Sequence, residues 1–341
     1  MQACPSSRFE VATMGEPERP RLAEDAYWRA RRCLVTGASG FIGTALCRRL
    51  DAAGAEVWGA GRRSGGPPNT RWLVCDVTDR ARVEDAMRTS RPDTVFHLAS
   101  VVTGARKRDV VLPTLHANLT GFVNVALAAS DQNCRRIVCM GSLQEPDQSL
   151  PAIPTSPYAA AKYAASCYAR MLVEAFNVPI AIGRLFMVYG PGQSDFTKIV
   201  PYVLSQLLAG SKASLSTGAH PFDWVFVDDV CDALLAIAAC DGAIGRTVDV
   251  GTGVLTQTID VARGLGRRLN AIQLLDVGAI PDRVDEPARA ADTAATKALT
   301  GWEARVGLND GLDLTVKWFE QHLTATRGTE RQSRAERVRN D

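Results

Sequence analysis

Tyr158 and Lys162 stand four positions apart in the run YAAAKYAASCYARMLVEAF, a spacing that puts both side chains on one face of a helix. A phenol that ionises near about pH 10 exchanges protons poorly at neutral pH. A neighbouring ammonium favours the phenolate and draws that value toward the working range. Ser142 closes the apolar run RRIVCMGS, and its hydroxyl can hydrogen-bond a carbonyl or an alcohol. A tyrosine that exchanges a proton, a lysine that tunes it and a serine that holds the reacting oxygen suit hydride transfer at a carbonyl carbon.

A hydride needs a carrier, and the chain offers a place for one. Thr36-Gly37-Ala38-Ser39-Gly40-Phe41-Ile42-Gly43 lies between the strand-like CLVT and the helix-like FIGTALCRRLDAAG. Glycines there allow a tight turn, and backbone N–H groups can approach a pyrophosphate at a helix N-terminus. Gly37, Ser39, Gly40, Phe41, Ile42 and Gly43 are therefore expected to line a dinucleotide. The next strand, EVWGAG, ends in Gly61-Arg62-Arg63, where an acid would hold the ribose diol of NAD and an arginine admits the 2′-phosphate of NADP. Arg62 and Arg63 favour NADP; read as plain surface residues, they leave NAD as the alternative. Asp76 and Val77, closing LVCDV, are placed to meet the adenine. Leu98, Ala99 and Ser100 of HLAS would border the cofactor at the fourth strand end.

Those groups need a scaffold, and the pattern supplies one. RWLVCDV, TVFHLAS, RRIVCMGS and PIAIGRLFMVYG read as further strands, while RARVEDAMRTS and PTLHANLTGFVNVALAAS read as helices. Strands alternating with helices predict an α/β, doubly wound (Rossmann) parallel sheet with a smaller C-terminal α/β substrate lobe. The expected organisation is an N-terminal extension over 1–30 and a dinucleotide-binding domain over 31–190. A substrate lobe interleaved with the sheet follows over 191–320, and then a polar, Arg-rich tail over 321–341. Within the extension, RLAEDAYWRA predicts a short helix with Tyr27 and Trp28 as anchors.

The bulk properties exclude other classes. A net charge of +2 gives no electrostatic case for nucleic acid or an anionic membrane surface. Nine cysteines, never spaced as CxxC and mostly inside apolar runs, read as small buried hydrophobes and not as a disulfide frame or metal site. No apolar run approaches the ~18 residues of a membrane span, and the first twenty residues lack a secretory apolar core. A cytoplasmic protein without a metal is expected.

TGASGFIG, HLA, the strand-end Ser142, YAAAK, RLFMVYGPG, WVFVDDV and GWEARVGLNDGL occur in the order seen in the extended short-chain dehydrogenase/reductases. From about Arg32 to Phe319 the chain resembles their NAD-dependent epimerase/dehydratase branch, whose members mostly act on nucleotide-activated sugars. The resemblance implies that Tyr158 is the acid/base, Lys162 binds the nicotinamide ribose and Ser142 orients the reacting oxygen. Asn118 matches a helix asparagine with either a packing or a proton-relay role. The helices carrying Asn118 and Tyr158 imply a homodimer.

Departures from the family pattern narrow the chemistry. Leu143 and Gln144 stand where 4,6-dehydratases carry an acidic pair, so elimination of water is disfavoured. Met187 replaces an asparagine that commonly touches the nucleotide, and Phe222, with His220 nearby, replaces an arginine. Arg283, in PDRVDEP, matches the late arginine that grips a diphosphate. The substrate side is thus expected to use Ser142, Met187, His220 and Arg283. The expected activity is NADPH-dependent reduction of a nucleotide-linked keto-deoxysugar. Alternatives are a nucleotide-sugar epimerase with tightly bound NAD, and a reductase of a non-nucleotide ketone similar to the dihydroflavonol reductases. A non-enzymatic NADP sensor would normally lack the Tyr or the Lys.

Overall fold

The structure is a computed structural model that describes residues 25–146, 153–282 and 288–323. A short helix α1 (Asp25–Trp28) precedes β1 (Arg32–Thr36), α2 (Phe41–Ala52), β2 (Glu56–Gly61), β3 (Arg71–Val74), α3 (Arg80–Ser90) and β4 (Thr94–His97). Then come α4 (Val111–Leu115), α5 (Gly121–Asp131), β5 (Arg136–Ser142), α6 (Pro157–Phe176), β6 (Ile180–Leu185) and β7 (Met187–Tyr189). The remaining strands are β8 (Ala213–Leu215), β9 (Pro221–Phe226), β10 (Thr247–Val250), β11 (Leu255–Gln257) and β12 (Leu275–Val277). Helices at Ile199–Leu208, Val227–Ala239, Thr258–Arg268 and Thr293–Thr300 lie among and after them.

Seven strands form one sheet in the order β10-β6-β5-β4-β1-β2-β3, and every pairing in it is parallel. The strands are nearly all apolar because both faces are covered. On one face α2 and the helix Val227–Ala239 bury Leu46, Leu50, Leu234 and Ile237 with Trp28. On the other, α3, α5 and α6 bury Met87, Phe122, Val125 and Leu172. The doubly wound sheet predicted from the alternation is present. Its order reverses between β1 and β4, the crevice where such sheets bind their ligands.

Trp28 is fully buried and its ring lies 5.8 Å from that of Phe96, so it anchors the N-terminal helix as expected. Six of the described cysteines are buried, and burial pushes the Cys47 and Cys139 thiols up to about 12. They pack as small apolar side chains. Among the described residues, no group of His, Cys, Asp and Glu could hold a metal.

Two elements differ from the sequence expectation. PIAIGRLFMVYG is not one strand: β6 ends in the large sheet at Leu185, and β7 pairs with β9 in a second sheet ordered β11-β9-β7. Phe186 donates its N–H to the Val250 carbonyl at 3.2 Å and turns the chain from one sheet into the other. The helix expected from Pro113 instead begins with a 3₁₀ turn at Arg108–Val110 and carries a π segment at His116–Thr120 between α4 and α5. The whole run Arg108–Asp131 is long and apolar enough to cross a membrane. Its α5 part, however, packs Phe122, Val125 and Ala129 into the core.

Candidate active site

The C-terminal ends of β1, β4 and β5 bring the candidate residues to one edge of the sheet. Gly37 follows β1 with φ +69°, a conformation that costs a side-chain-bearing residue free energy. A Cβ there would stand 2.7 Å from the Ala99 nitrogen, so the glycine loop lies directly against Leu98-Ala99. A Cβ on Gly43 would stand 2.2 Å from the Gly37 carbonyl, which lets the first turn of α2 close onto the loop. Gly40 caps α2 without a side-chain hydrogen bond, leaving the first amides of the helix for an anion. These features fit a dinucleotide pyrophosphate. Phe41 and Ile42 are half-buried at the helix start.

Thr36 ties the loop to β4. Its hydroxyl accepts from the Ala99 N–H at 3.3 Å and lies 2.9 Å from His97 Nδ1. Burial, together with the Lys162 charge, pushes His97 down to about 3, so the imidazole is neutral. Next in the chain, the Ser100 hydroxyl donates to Asn118 Oδ1 at 3.0 Å. The same oxygen accepts from the Val101 N–H at 2.8 Å, and Asn118 Nδ2 donates to the Val101 carbonyl at 3.0 Å. Asn118 sits in the π segment, where the local widening aims its amide at the loop after β4. Of its two readings, these bonds give it the role of fastening that loop.

Arg62 and Arg63, expected at the adenosine end of a cofactor, are exposed just past β2. The Asp76 carboxylate accepts from the Thr78 N–H at 2.9 Å and the Thr78 hydroxyl at 2.8 Å. Those bonds, chiefly the backbone one, and the nearby Arg62 hold it below the usual carboxylate range. Val77 is buried against Gly121, the first residue of α5.

Ser142 ends β5, and its hydroxyl lies close enough to Tyr158 to lower the phenol's hold on its proton. Ser156 caps α6 by accepting from the Ala159 N–H at 3.1 Å, with Pro157 as the first helical residue. That start places Tyr158 and Lys162 beneath the β5 terminus. Tyr158, Lys162 and Ser142 are all buried. Lys162 Nζ donates to the Met140 carbonyl at 2.9 Å. Here the structure differs from the electrostatic expectation: burial pushes Tyr158 up to about 12, outweighing the opposing effect of the nearby Ser142 hydroxyl. Lys162 is committed to Met140, and burial draws its own value down. The phenol therefore keeps its proton at neutral pH. Lys162→Met removes both an ammonium and its anchor on β5. We expect cofactor affinity and rate each to fall by about tenfold or more, or ~1.4 kcal/mol apiece. A loss of rate with unchanged cofactor affinity contradicts the double role.

Sequence reasoning passed over Glu145. It is 7% exposed, its Oε1 accepts from the Ser142 N–H at 2.7 Å, and the Ser166 hydroxyl lies beside its carboxyl. Burial pushes this carboxyl up, while Lys162 and Arg184 lie close enough to oppose the rise. The Ser142 hydroxyl in turn accepts from the Gln144 N–H at 3.2 Å. The signal was present as Ser-x-x-Glu, the spacing of a reciprocal capping box, here closing a strand end. Glu145 holds the β5 terminus at Ser142 and lies on the side of α6 that carries Tyr158, Lys162 and Ser166.

Next to Ser142 in the chain, Leu143 packs with Phe186, Phe222 and Ala291 in an apolar cluster. Met187 is half-buried in β7. The His220 ring lies 4.7 Å from Phe222, edge to face, with its Nε2 buried and without a hydrogen-bond partner. Arg283 lies outside the described residues. Its neighbour Asp282 accepts from the Thr217 N–H at 3.0 Å and the Thr217 hydroxyl at 2.7 Å.

The chain is similar to known proteins over most of its length. UDP-glucose 4-epimerase of Mycolicibacterium smegmatis is 29% identical over 311 residues, 84% of this chain and 98% of that protein. A probable dTDP-glucose 4,6-dehydratase of Sinorhizobium fredii is 29% identical over 328 residues, 84% of this chain and 92% of the relative. Among solved structures, the UDP-glucose 4-epimerase of Thermus thermophilus in complex with NAD superimposes with a TM-score of 0.75. It is 26% identical, covering 85% of this chain and 99% of that one. Residues 33–251 match the NAD dependent epimerase/dehydratase family, and the chain belongs to that family of extended short-chain dehydrogenase/reductase enzymes.

Proposed function

We propose that the protein is an NADPH-dependent ketoreductase acting on a nucleotide-linked keto-deoxysugar. The observation that carries this reading is the end of β2. No carboxylate stands there to accept from a ribose diol, and two exposed arginines follow Gly61. A guanidinium gains charge-assisted hydrogen bonds from a 2′-phosphate.

When bound, the nicotinamide supplies the hydride to the carbonyl carbon. The protein's own residues manage the oxygen. The Ser142 hydroxyl hydrogen-bonds it, and Tyr158, kept protonated by burial, gives its proton to the forming alkoxide. Lys162 would hold the nicotinamide ribose. Leu143 and Gln144 carry no acid or base, so the site lacks a pair to eliminate water. The apolar side chains of Leu143, Phe186 and Phe222 suit a sugar already deoxygenated at one carbon.

The relatives act on, or are solved with, UDP- and dTDP-linked sugars by name, which supports a nucleotide sugar as substrate. Arg283 is then the diphosphate clamp. Arg283→Ala is expected to raise the KM for a nucleotide sugar by roughly ten- to a hundredfold, the loss of one charge-assisted contact worth about 1.5–3 kcal/mol. An unchanged KM shifts the substrate to a non-nucleotide ketone. A homodimer is part of the same reading. Val111, Leu112 and Leu115 on α4, and Tyr168 and Met171 on α6, leave an exposed apolar strip where these two helices touch.

The second reading, an epimerase with fixed NAD, draws on the epimerase relatives and the NAD complex. Denaturing the purified protein and identifying the released nucleotide separates the two. A reductase releases little or only NADP(H), whereas stoichiometric NAD contradicts the proposal.

A further inference from the structure

Trp72, on β3, lies beside Gly59 of β2 in the sheet register, and three glycines make room for its indole. A Cβ on Gly59 would stand 2.8 Å from the ring, one on Gly61 2.8 Å from it, and one on Gly66 2.0 Å. The indole N–H donates to the Arg63 carbonyl at 2.8 Å, so the ring is held and the arginine turn is held to it. The same Cβ on Gly61 would stand 3.5 Å from the Ser39 hydroxyl of the glycine loop. Position 61 therefore points at the dinucleotide site, and the Trp72 ring edge occupies the space its side chain would fill. Trp72 is half-buried and packs against the core of that sheet face.

We propose that Trp72 is the residue that sets cofactor choice. It takes the place from which a carboxylate on β2 would read a ribose diol. Through its bond to Arg63 it also presents the Arg62-Arg63 turn to a 2′-phosphate. An acid at position 61 alone cannot convert this site, because the indole stands where the carboxylate must go. The inference rests on the NADP reading above, and the steric part of it survives without that reading.

The test uses the full chain as wild type, Gly61→Asp, Trp72→Leu and the double variant, with thermal midpoints and calorimetric titration of NADP and NAD separately. Gly61→Asp alone should lower Tm and gain no NAD affinity. The double variant should recover Tm relative to Gly61→Asp, bind NAD at least tenfold more tightly than Trp72→Leu does, and bind NADP at least tenfold more weakly. Trp72→Leu alone, which keeps apolar packing, should cut the NADP-over-NAD preference about tenfold because the arginine turn loses its anchor. The inference is overturned if Gly61→Asp alone keeps the wild-type Tm and gains the NAD affinity. It is equally overturned if Trp72→Leu leaves the preference unchanged. Wild type preferring NAD, with the stability rescue still present, would sink the NADP reading while leaving the steric role of Trp72 standing.

Discussion

Tyr158→Phe is expected to cut turnover by roughly a thousandfold or more, within the range that a positioned proton donor contributes, while cofactor affinity stays near wild type. The phenylalanine ring fills the same buried space at the start of α6, so the helix and the Ser156 cap should persist. Only the hydroxyl beside Ser142, with its transferable proton, is removed. Single-turnover kinetics with the cofactor already bound isolates the chemical step. A variant that retains near-wild-type turnover would mean that another group protonates the oxygen. A variant that fails to bind cofactor would mean that Tyr158 acts in assembly rather than proton transfer.

Gly43→Ala should be nearly as severe for a different reason. The added Cβ would lie 2.2 Å from the Gly37 carbonyl oxygen and 2.8 Å from the Ala38 Cα. Both are backbone atoms of a loop already held by the Gly37 N–H to the Ala60 carbonyl at 2.9 Å, so neither can swing aside. The first turn of α2 must move off the loop, which costs about 1–3 kcal/mol or more by analogy with overpacked cores. It also moves the amides that would meet the pyrophosphate. We expect a lower thermal midpoint and at least a tenfold loss of cofactor affinity. Unchanged affinity would remove the loop from the dinucleotide site.

The parts of the fold that were legible in the sequence are those fixed by local pattern. Strands buried on both faces read as continuous apolar runs, and the Thr36–Gly43 loop read correctly because a turn, a close approach and a helix start demand glycines together. The Tyr158–Lys162 pair followed from helical spacing alone. What stayed hidden depends on contacts distant in sequence. The break at Phe186 is set by the Val250 carbonyl, supplied by a strand more than sixty residues later, and no periodicity in RLFMVYG marks it. The π segment around Asn118 arises where that amide must reach Val101, and composition does not announce it. Glu145 carried no visible role because the Ser142 amide and Ser166 come to it only when β5 and α6 pack. The electrostatics of Tyr158 were misjudged for the same reason: spacing brings Lys162 near, but burial and the Met140 carbonyl decide the balance.

The proposed reduction of a ketone by NADPH, with Ser142 and Tyr158 on the reacting oxygen, can be measured by mixing purified protein, NADPH and a dTDP-linked 4-keto-6-deoxysugar. The near-ultraviolet absorbance of reduced nicotinamide is followed against the sugar product. One NADPH should be oxidised for each alcohol formed, with Tyr158→Phe silent. Conversion of a nucleotide sugar to its epimer with no net loss of NADPH would contradict it.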